Sequence, residues 1–346
     1  MKSSFRDRLI RPSTQSSWRE ARRTPGFSPF DALHGYVYAR WPYLYISIGT
    51  GEHPLAHVLG PTVGRLARLW PARPADGDAT ARLRVAFADT YHGKVVPLDA
   101  ATQLVTVGEA VRLTDLETII PYNRARDIVL RNPDHIVALE CPCRAGRPHP
   151  CTPLDVCLIV GEPFASFVVE HHPRRSRRIT PGEAVEILRA EDERGHVHHA
   201  FFKDVMLNRF YAICNCCACC CGAMQAYRQQ VPMLASSGYV ARIDADRCIG
   251  CGDCVRFCQF GALTVRDGRC VVDPAVCMGC GACLSKCVRE AHTLVREPGQ
   301  GEPLEIRELI ASASGHPASR PRQGWDEQVR LMSERGDDRL LDEPAS

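Results

Sequence analysis

Cys248-Ile249-Gly250-Cys251-Gly252-Asp253-Cys254-Val255-Arg256-Phe257-Cys258 is answered later in the chain by Cys277-Met278-Gly279-Cys280-Gly281-Ala282-Cys283-Leu284-Ser285-Lys286-Cys287. Both stretches fit C-x2-C-x2-C-x3-C, and Cys277 follows Cys248 at an offset of 29 residues. Two-residue gaps let three thiolates wrap three corners of one cuboidal iron-sulfur cage within a tight loop, so the fourth must arrive from elsewhere. Gly250, Gly252, Gly279 and Gly281 relieve crowding there and leave backbone N–H groups free to face cluster sulfurs. Repeated C-x2-C can also bind zinc, but two copies of four cysteines at this spacing point to [4Fe-4S] chemistry.

Over roughly residues 243 to 296 the chain resembles the bacterial two-cluster ferredoxin family. The resemblance implies two [4Fe-4S] clusters whose fourth cysteines cross over. The first cluster would use Cys248, Cys251, Cys254 and Cys287, and the second Cys277, Cys280, Cys283 and Cys258. One departure stands out: the proline that usually follows the fourth cysteine is replaced by Gln259 and Val288. Cys270, between the runs, reads as a small apolar strand residue.

Nineteen cysteines in 346 residues suit either a disulfide scaffold or a metal protein. Adjacent cysteines and gaps of two or three residues favour ligands and a reducing compartment. Ten thiols lie upstream: Cys141, Cys143, Cys151 and Cys157, then Cys214, Cys216, Cys217, Cys219, Cys220 and Cys221. In an extended segment residues two apart share a side, so Cys141 with Cys143, or Cys214 with Cys216, could grip one centre. Six thiols within eight residues would repel one another if ionised, which metal coordination relieves. An additional Fe-S cluster is the leading expectation, with structural zinc or redox-active thiols as alternatives. The text from Cys141-Pro142-Cys143-Arg144 through Cys157 to Ile213-Cys214-Asn215-Cys216-Cys217-Ala218-Cys219-Cys220-Cys221 resembles a group of uncharacterised iron-sulfur proteins of anaerobic microbes, over roughly residues 88 to 296. That resemblance implies fused modules and shared redox work.

The expected fold class is α+β: a mixed α/β middle domain followed by a ferredoxin-like domain with two [4Fe-4S] clusters. The expected divisions are 1-75, a basic and aromatic N-terminal arm whose first thirty residues are flexible or loosely docked; 76-240, the cysteine-rich domain; 241-298, the ferredoxin domain; and 299-346, a polar C-terminal tail. Arg73 to Asp78 read as a boundary loop. Pro121 is expected to open a helix ending before Asn132-Pro133, and His135 to Leu139 form a strand. Thr180, Pro181 and Glu183 announce a capped helix that Gly195 ends, with Ala184, Val185, Ile187 and Leu188 as its buried stripe. His196 to His199 lead into a further strand.

The net charge of +3 gives no reason to expect nucleic acid as a partner. The Arg-rich first thirty residues contain no apolar signal core, and Tyr36 to Ile48 is too short to span a bilayer, which makes the cytoplasm the default location. The Trp and Tyr residues of that segment could touch a membrane surface, but packing within the protein is the expectation. No Walker A, G-x-G-x-x-G or C-x-x-C-H sequence occurs, so P-loop hydrolysis, a dinucleotide fold and covalent haem lack support. His149, His171, His172, His196, His198 and His199 are candidate ligands or proton donors, and each is more simply a surface or satisfied core residue. Arg174, Arg175, Arg177 and Arg178 could dock an acidic redox partner protein or an anionic substrate, and are more simply a solvated loop. Three function classes remain: an electron-transfer protein, a reductase whose middle centre is the active site, and a metal-binding or assembly protein.

Overall fold

The computed structural model describes residues 10–56, 79–114 and 116–313; the expected boundary at Arg73 to Asp78 lies outside them. In chain order the strands are β1 (Tyr91–Val95), β2 (Val111–Leu113), β3 (Ile128–Leu130), β4 (Ile136–Leu139), β5 (Cys157–Val160), β6 (Ser176–Ile179), β7 (Val197–Lys203), β8 (Arg209–Cys216), β9 (Leu234–Ala235), β10 (Tyr239–Ile243), β11 (Leu263–Arg266), β12 (Arg269–Val272) and β13 (His292–Arg296). Helices intervene throughout, and the class is α+β as expected.

Seven strands form one sheet in the order β6-β4-β5-β8-β7-β1-β9. All its pairs are antiparallel except β1 with β9. β4 and β5 are buried along their whole length, which explains their continuous rather than alternating apolar pattern; β7 is buried throughout as well, although it carries His198, His199 and Lys203. The helix Phe164–His171 packs on β4, β5 and β6, while Leu98–Val105 and Pro181–Glu193 pack on β7 and on each other. The latter two cover the opposite face, because His198 meets Asp192 of the helix at 3.9 Å whereas Phe201, of opposite parity on β7, lines the cavity that Phe164 also lines. Each fully buried aliphatic side chain of this core, such as Leu158 or Leu188, contributes about 1.5–3 kcal/mol.

The helix Pro181–Glu193 begins as its sequence predicts: Thr180 Oγ1 accepts the Glu183 N–H at 3.2 Å. The Glu183 carboxylate does not complete the box. It turns to Arg177 instead, a charged partner that outcompetes a neutral backbone N–H. Ala184 and Leu188 are buried, with Val185 and Ile187 packed partly against the core.

Three expectations change. Residues 122–125 form bends, Asp127 bridges to Arg209, and Ile128–Leu130 is a strand rather than the end of a helix. Ala125 sits at φ +52 and Asn132 at φ +47, conformations no helix interior accepts. The N-terminal arm is docked: helices Pro12–Ala21, Pro29–Arg40 and Pro42–Gly49 cover the cysteine-bearing face. Thr14 Oγ1 lies 2.9 Å from His171 Nε2, and Glu20 receives Arg209 at 2.8 Å. Part of the aromatic run packs inside the protein, with Tyr36 edge-on to Phe167 and Tyr38 edge-on to Tyr211, while Trp41 and Leu44 stay exposed. At the other end, Leu304 and Ile306 are buried and Lys94 Nζ donates to the Glu302 carbonyl at 2.8 Å. Residues 302–306 thus pack against the body of the protein, within the stretch read from sequence as a polar tail.

Candidate metal centres

The ferredoxin segment is two copies of one unit, each completed by the other. β10 pairs with β13 at its two ends, and the β11–β12 hairpin lies between them. Gly250 and Gly279 hold φ of +66 and +63. A Cβ on Gly250 would stand 2.1 Å from the Gly268 carbonyl oxygen, and one on Gly279 2.1 Å from that of Tyr239. Gly268 and Tyr239 are themselves equivalent under the 29-residue offset, so each half closes the other's cysteine loop. The sulfur contacts repeat that exchange: Ala241 N–H donates to Cys277 Sγ at 3.5 Å and Cys270 N–H to Cys248 Sγ at 3.4 Å. Ala262 and Ala291 donate to Cys258 and Cys287, each at 3.2 Å.

Charge coupling among the thiols crosses between the halves. Burial raises the Cys280 thiol to about 12, with Cys258 and Cys277 adding to it. Burial likewise raises Cys283, and Cys280, Cys277, Cys258 and Cys254 add. Cys254 is raised by burial, against a Cys270 contact and with Cys251 and Cys287 adding. Cys258 thus lies within charge range of Cys277, Cys280 and Cys283, and Cys287 within charge range of Cys254. Buried and half-buried thiols, four of which accept backbone N–H bonds, in loops too tight for a Cβ, fit the donor set and cradle of a [4Fe-4S] cluster.

Cys270 lies in β12 as expected, but it is also 3.5 Å from Cys254, and His292 joins both with all three ligand atoms within 4.8 Å. Sequence reasoning missed His292. The signal was the repeat itself, since Cys270 and His292 occupy the places of Ala241 and Leu263 in the other half.

The ten upstream thiols separate into six and four. Contacts run Cys214–Cys157–Cys141–Cys143–Cys221–Cys216, the first of them at 3.8 Å. Cys157 is pushed well above the ordinary thiol value, first by Cys141 and Cys214 and then by burial. Cys214 and Cys216 share one face of β8, opposite His199 and Val197 of β7. Cys143 is not in an extended segment: Pro142 starts a short helix, Pro142–Ala145, whose first turn brings Cys143 back toward Cys141. The remaining four, Cys151, Cys217, Cys219 and Cys220, place all their sulfurs within 4.8 Å of one another.

A buried cation sits between the two sets. Arg144, 1% exposed, donates to Glu191 at 2.5 Å and to the carbonyls of Pro153 and Asn215 at 2.6 and 2.9 Å. Its field reaches both Cys141 and Cys217, so it offsets negative charge on either set. The six-thiol bay borders an apolar cavity of about 240 Å³ lined also by Tyr38, Tyr91, Tyr211 and Lys203. Tyr38 Oη lies 2.7 Å from Tyr211 Oη, and Lys203 Nζ stands 5.0 Å over the Tyr38 ring. Burial holds all three tyrosines protonated and lowers Lys203.

The ferredoxin segment touches the thiol loop directly through Gln259, which accepts the Ala218 N–H at 2.9 Å. The candidate histidines are mostly satisfied: His171 by Thr14, His172 by the Ala39 carbonyl, His196 by Glu191 and His198 by Asn215. His199 is fully buried, and burial lowers its pKa to about 3 against the Val197 backbone. In the basic run, Arg177 pairs with Asp155 and Glu183, and Arg175 covers the Tyr43 ring at 4.2 Å.

A family model described as a 4Fe-4S binding domain matches residues 241–264, which hold the first four-cysteine run. No curated protein matches the chain. The chain thus carries a 4Fe-4S binding domain together with cysteine groups able to bind metal. No helix among the described residues is long and apolar enough to cross a membrane.

Proposed function

We propose that this protein is an iron-sulfur electron carrier with two [4Fe-4S] clusters in residues 241–298 and a further thiolate-bound centre among the upstream cysteines. When bound, each [4Fe-4S] cluster supplies a one-electron couple tuned by sulfur hydrogen bonds and burial. The observation that carries the reading is the reciprocal closure of the two cysteine loops, in which Tyr239 and Gly268 exchange roles across the 29-residue repeat. A fold that builds the same cradle twice supports two occupants, not one. The crossed coupling of Cys258 and Cys287 supports the crossed ligand sets. Cys251 is exposed, so the first cradle offers a soluble redox partner protein a short approach, and the Gln259–Ala218 contact carries the second toward the upstream thiols.

The protein's own residues do the rest. Ala241, Ala262, Cys270 and Ala291 present N–H groups to sulfur, Arg144 balances thiolate charge, and the packed N-terminal helices keep water from the six-thiol bay. A reductase is the second reading, favoured by one specific arrangement: the Tyr38–Tyr211 pair and Lys203 face Cys143 and Cys214 across the cavity. Neutral tyrosines there could deliver protons to a small bound molecule.

Anaerobic iron and sulfide analysis with EPR of the reduced protein tests this. The ferredoxin segment should account for about eight irons per chain, and Cys258→Ala should disturb the same EPR signal as Cys277→Ala while Cys287→Ala disturbs that of Cys248→Ala. Four irons lost on destroying the whole segment would refute two clusters.

A further inference from the structure

We propose that Cys151, Cys217, Cys219 and Cys220 hold a single tetrahedral divalent metal ion of zinc type, at a site separate from the six-thiol bay. This deepens the reading that the upstream cysteines bind metal, and it rests on that reading. The argument is one of distance. Zinc–thiolate bonds of about 2.3 Å in a tetrahedron place sulfurs about 3.8 Å apart. The observed separations are 3.3 Å for Cys151 to Cys219, 3.6 Å for Cys217 to Cys151 and 3.7 Å for Cys219 to Cys220. A four-iron cage would force its thiolates much farther apart, one at each corner. The same molecule supplies the comparison: among the described residues, neither the eight ferredoxin cysteines nor the six of the bay form such a tight foursome.

Spacing and support agree. Cys217 and Cys220 are a C-x2-C pair, the usual loop that offers two ligands to one zinc ion, and the Cys220 backbone N–H faces the Cys217 sulfur. Arg147 braces the loop by donating to the Cys220 carbonyl at 3.2 Å and to Gln225 Oε1 at 2.5 Å. Gln225 in turn donates to the Cys219 carbonyl at 3.1 Å. The third and fourth ligands come from Cys219 and from Cys151, 68 residues away from it, so the ion would pin the loop after the short helix Pro142–Ala145 to the end of β8. Four thiolates on a dication leave two negative charges, and Arg144 and Arg147 lie close enough to offset them. Cys217 and Cys220 are buried, whereas Cys219 is exposed, which gives the ion an entry side.

The test uses the full chain purified anaerobically, with zinc, iron and acid-labile sulfide counted together. Wild type should hold one equivalent of zinc, or of iron unaccompanied by sulfide, that Cys151→Ser and Cys219→Ser both lose while sulfide and the ferredoxin EPR signals stay unchanged. Cys157→Ser, in the bay, should retain it. Growth with Co²⁺ replaces any dependence on the variants' folding: wild type should show the d–d and thiolate charge-transfer bands of one tetrahedral cobalt ion. If Cys151→Ser and Cys219→Ser lose iron and sulfide together, the four thiols belong to a cluster and the tetrahedral site is overturned, while the broader metal reading stands. If neither these variants nor Cys157→Ser loses any metal, both fail.

Discussion

The side-chain amide of Gln259 clamps Ala218: its Oε1 accepts the Ala218 N–H at 2.9 Å while its Nε2 donates to the Gly195 carbonyl at 3.0 Å. Gln259 follows Cys258, and Ala218 lies between Cys217 and Cys219. A proline side chain, usual at this place in bacterial two-cluster ferredoxins, offers neither a donor nor an acceptor. The substitution noticed in the sequence is therefore the joint between two cysteine systems.

Replacing Gln259 by Leu leaves the Ala218 N–H without its acceptor, at a cost of about 1–3 kcal/mol. Local opening of residues 217–221 should become easier, and amide hydrogen exchange at Ala218 should accelerate by about tenfold or more, since each 1.4 kcal/mol is a factor of ten. Unchanged exchange at Ala218 would show that the clamp carries no stability.

The loop closures at Gly250 and Gly279 predict a sharp contrast with Gly261. Either glycine replaced by Ala puts a Cβ 2.1 Å from a backbone carbonyl oxygen, whereas nothing lies within 4 Å of the same atom at Gly261. Gly250→Ala and Gly279→Ala should each lose about half of the ferredoxin iron. Gly261→Ala should keep all of it and lose about 1–2 kcal/mol for its positive φ. Visible absorption and iron analysis of the three variants read this out, and full iron in Gly250→Ala would contradict it.

Arg144 and Glu191 are each 1% exposed and 2.5 Å apart. Arg144→Met leaves the buried Glu191 carboxylate with only His196 at 2.6 Å and Arg194 at 3.2 Å, and should cost up to about 3–5 kcal/mol. Adding Glu191→Leu should restore part of that loss, because it removes the underpaired carboxylate at the expense of its bonds to His196 and Arg194. Denaturant titration of the single and double variants measures the difference, and a double variant no better than Arg144→Met would argue that Arg144 acts through the thiols instead.

His92 is fully buried, stacked on Tyr122 with ring centroids 3.6 Å apart, and burial lowers its pKa to about 3 against the carbonyls of Ala88 and Ala125. The unfolded chain binds this proton below about pH 6.5, while the folded protein does not until about pH 3. Its contribution to stability is thus complete above pH 6.5 and is lost as pH falls, by about 1.4 kcal/mol per pH unit. Wild type should take up about one more proton on unfolding at pH 5 than His92→Phe does. Equal uptake would place the folded pKa near its ordinary value.

Local sequence sufficed where the chemistry is local. The C-x2-C-x2-C runs, the Thr180 cap and the β4 and β7 strands were all legible, because each depends on residues within a turn or on side-chain period. The segment after Pro121 was not. Its helical pattern gives way to the β2–β3 pairing of Val111 with Leu130, a contact that no window around Pro121 contains. The docked N-terminal helices escaped for a similar reason: Ser13, Thr14 and Glu20 look like tail residues until His171, Glu170 and Arg209 meet them.

For the metal chemistry, the sequence by itself determined that eight cysteines suit two cuboidal cages and that ten more lie upstream in two groups, six of them within eight residues. Only the tertiary structure decided how those ten divide. Antiparallel pairing of β5 with β8 brings Cys157 to Cys214, 57 residues apart, and the loop after β8 turns Cys217, Cys219 and Cys220 away toward Cys151. Adjacent cysteines in the sequence thereby join different sets: Cys216 faces the bay and Cys217 the foursome. The physical reason is the two-residue period of the strand, which ends at Cys216 and frees the next thiol to point elsewhere.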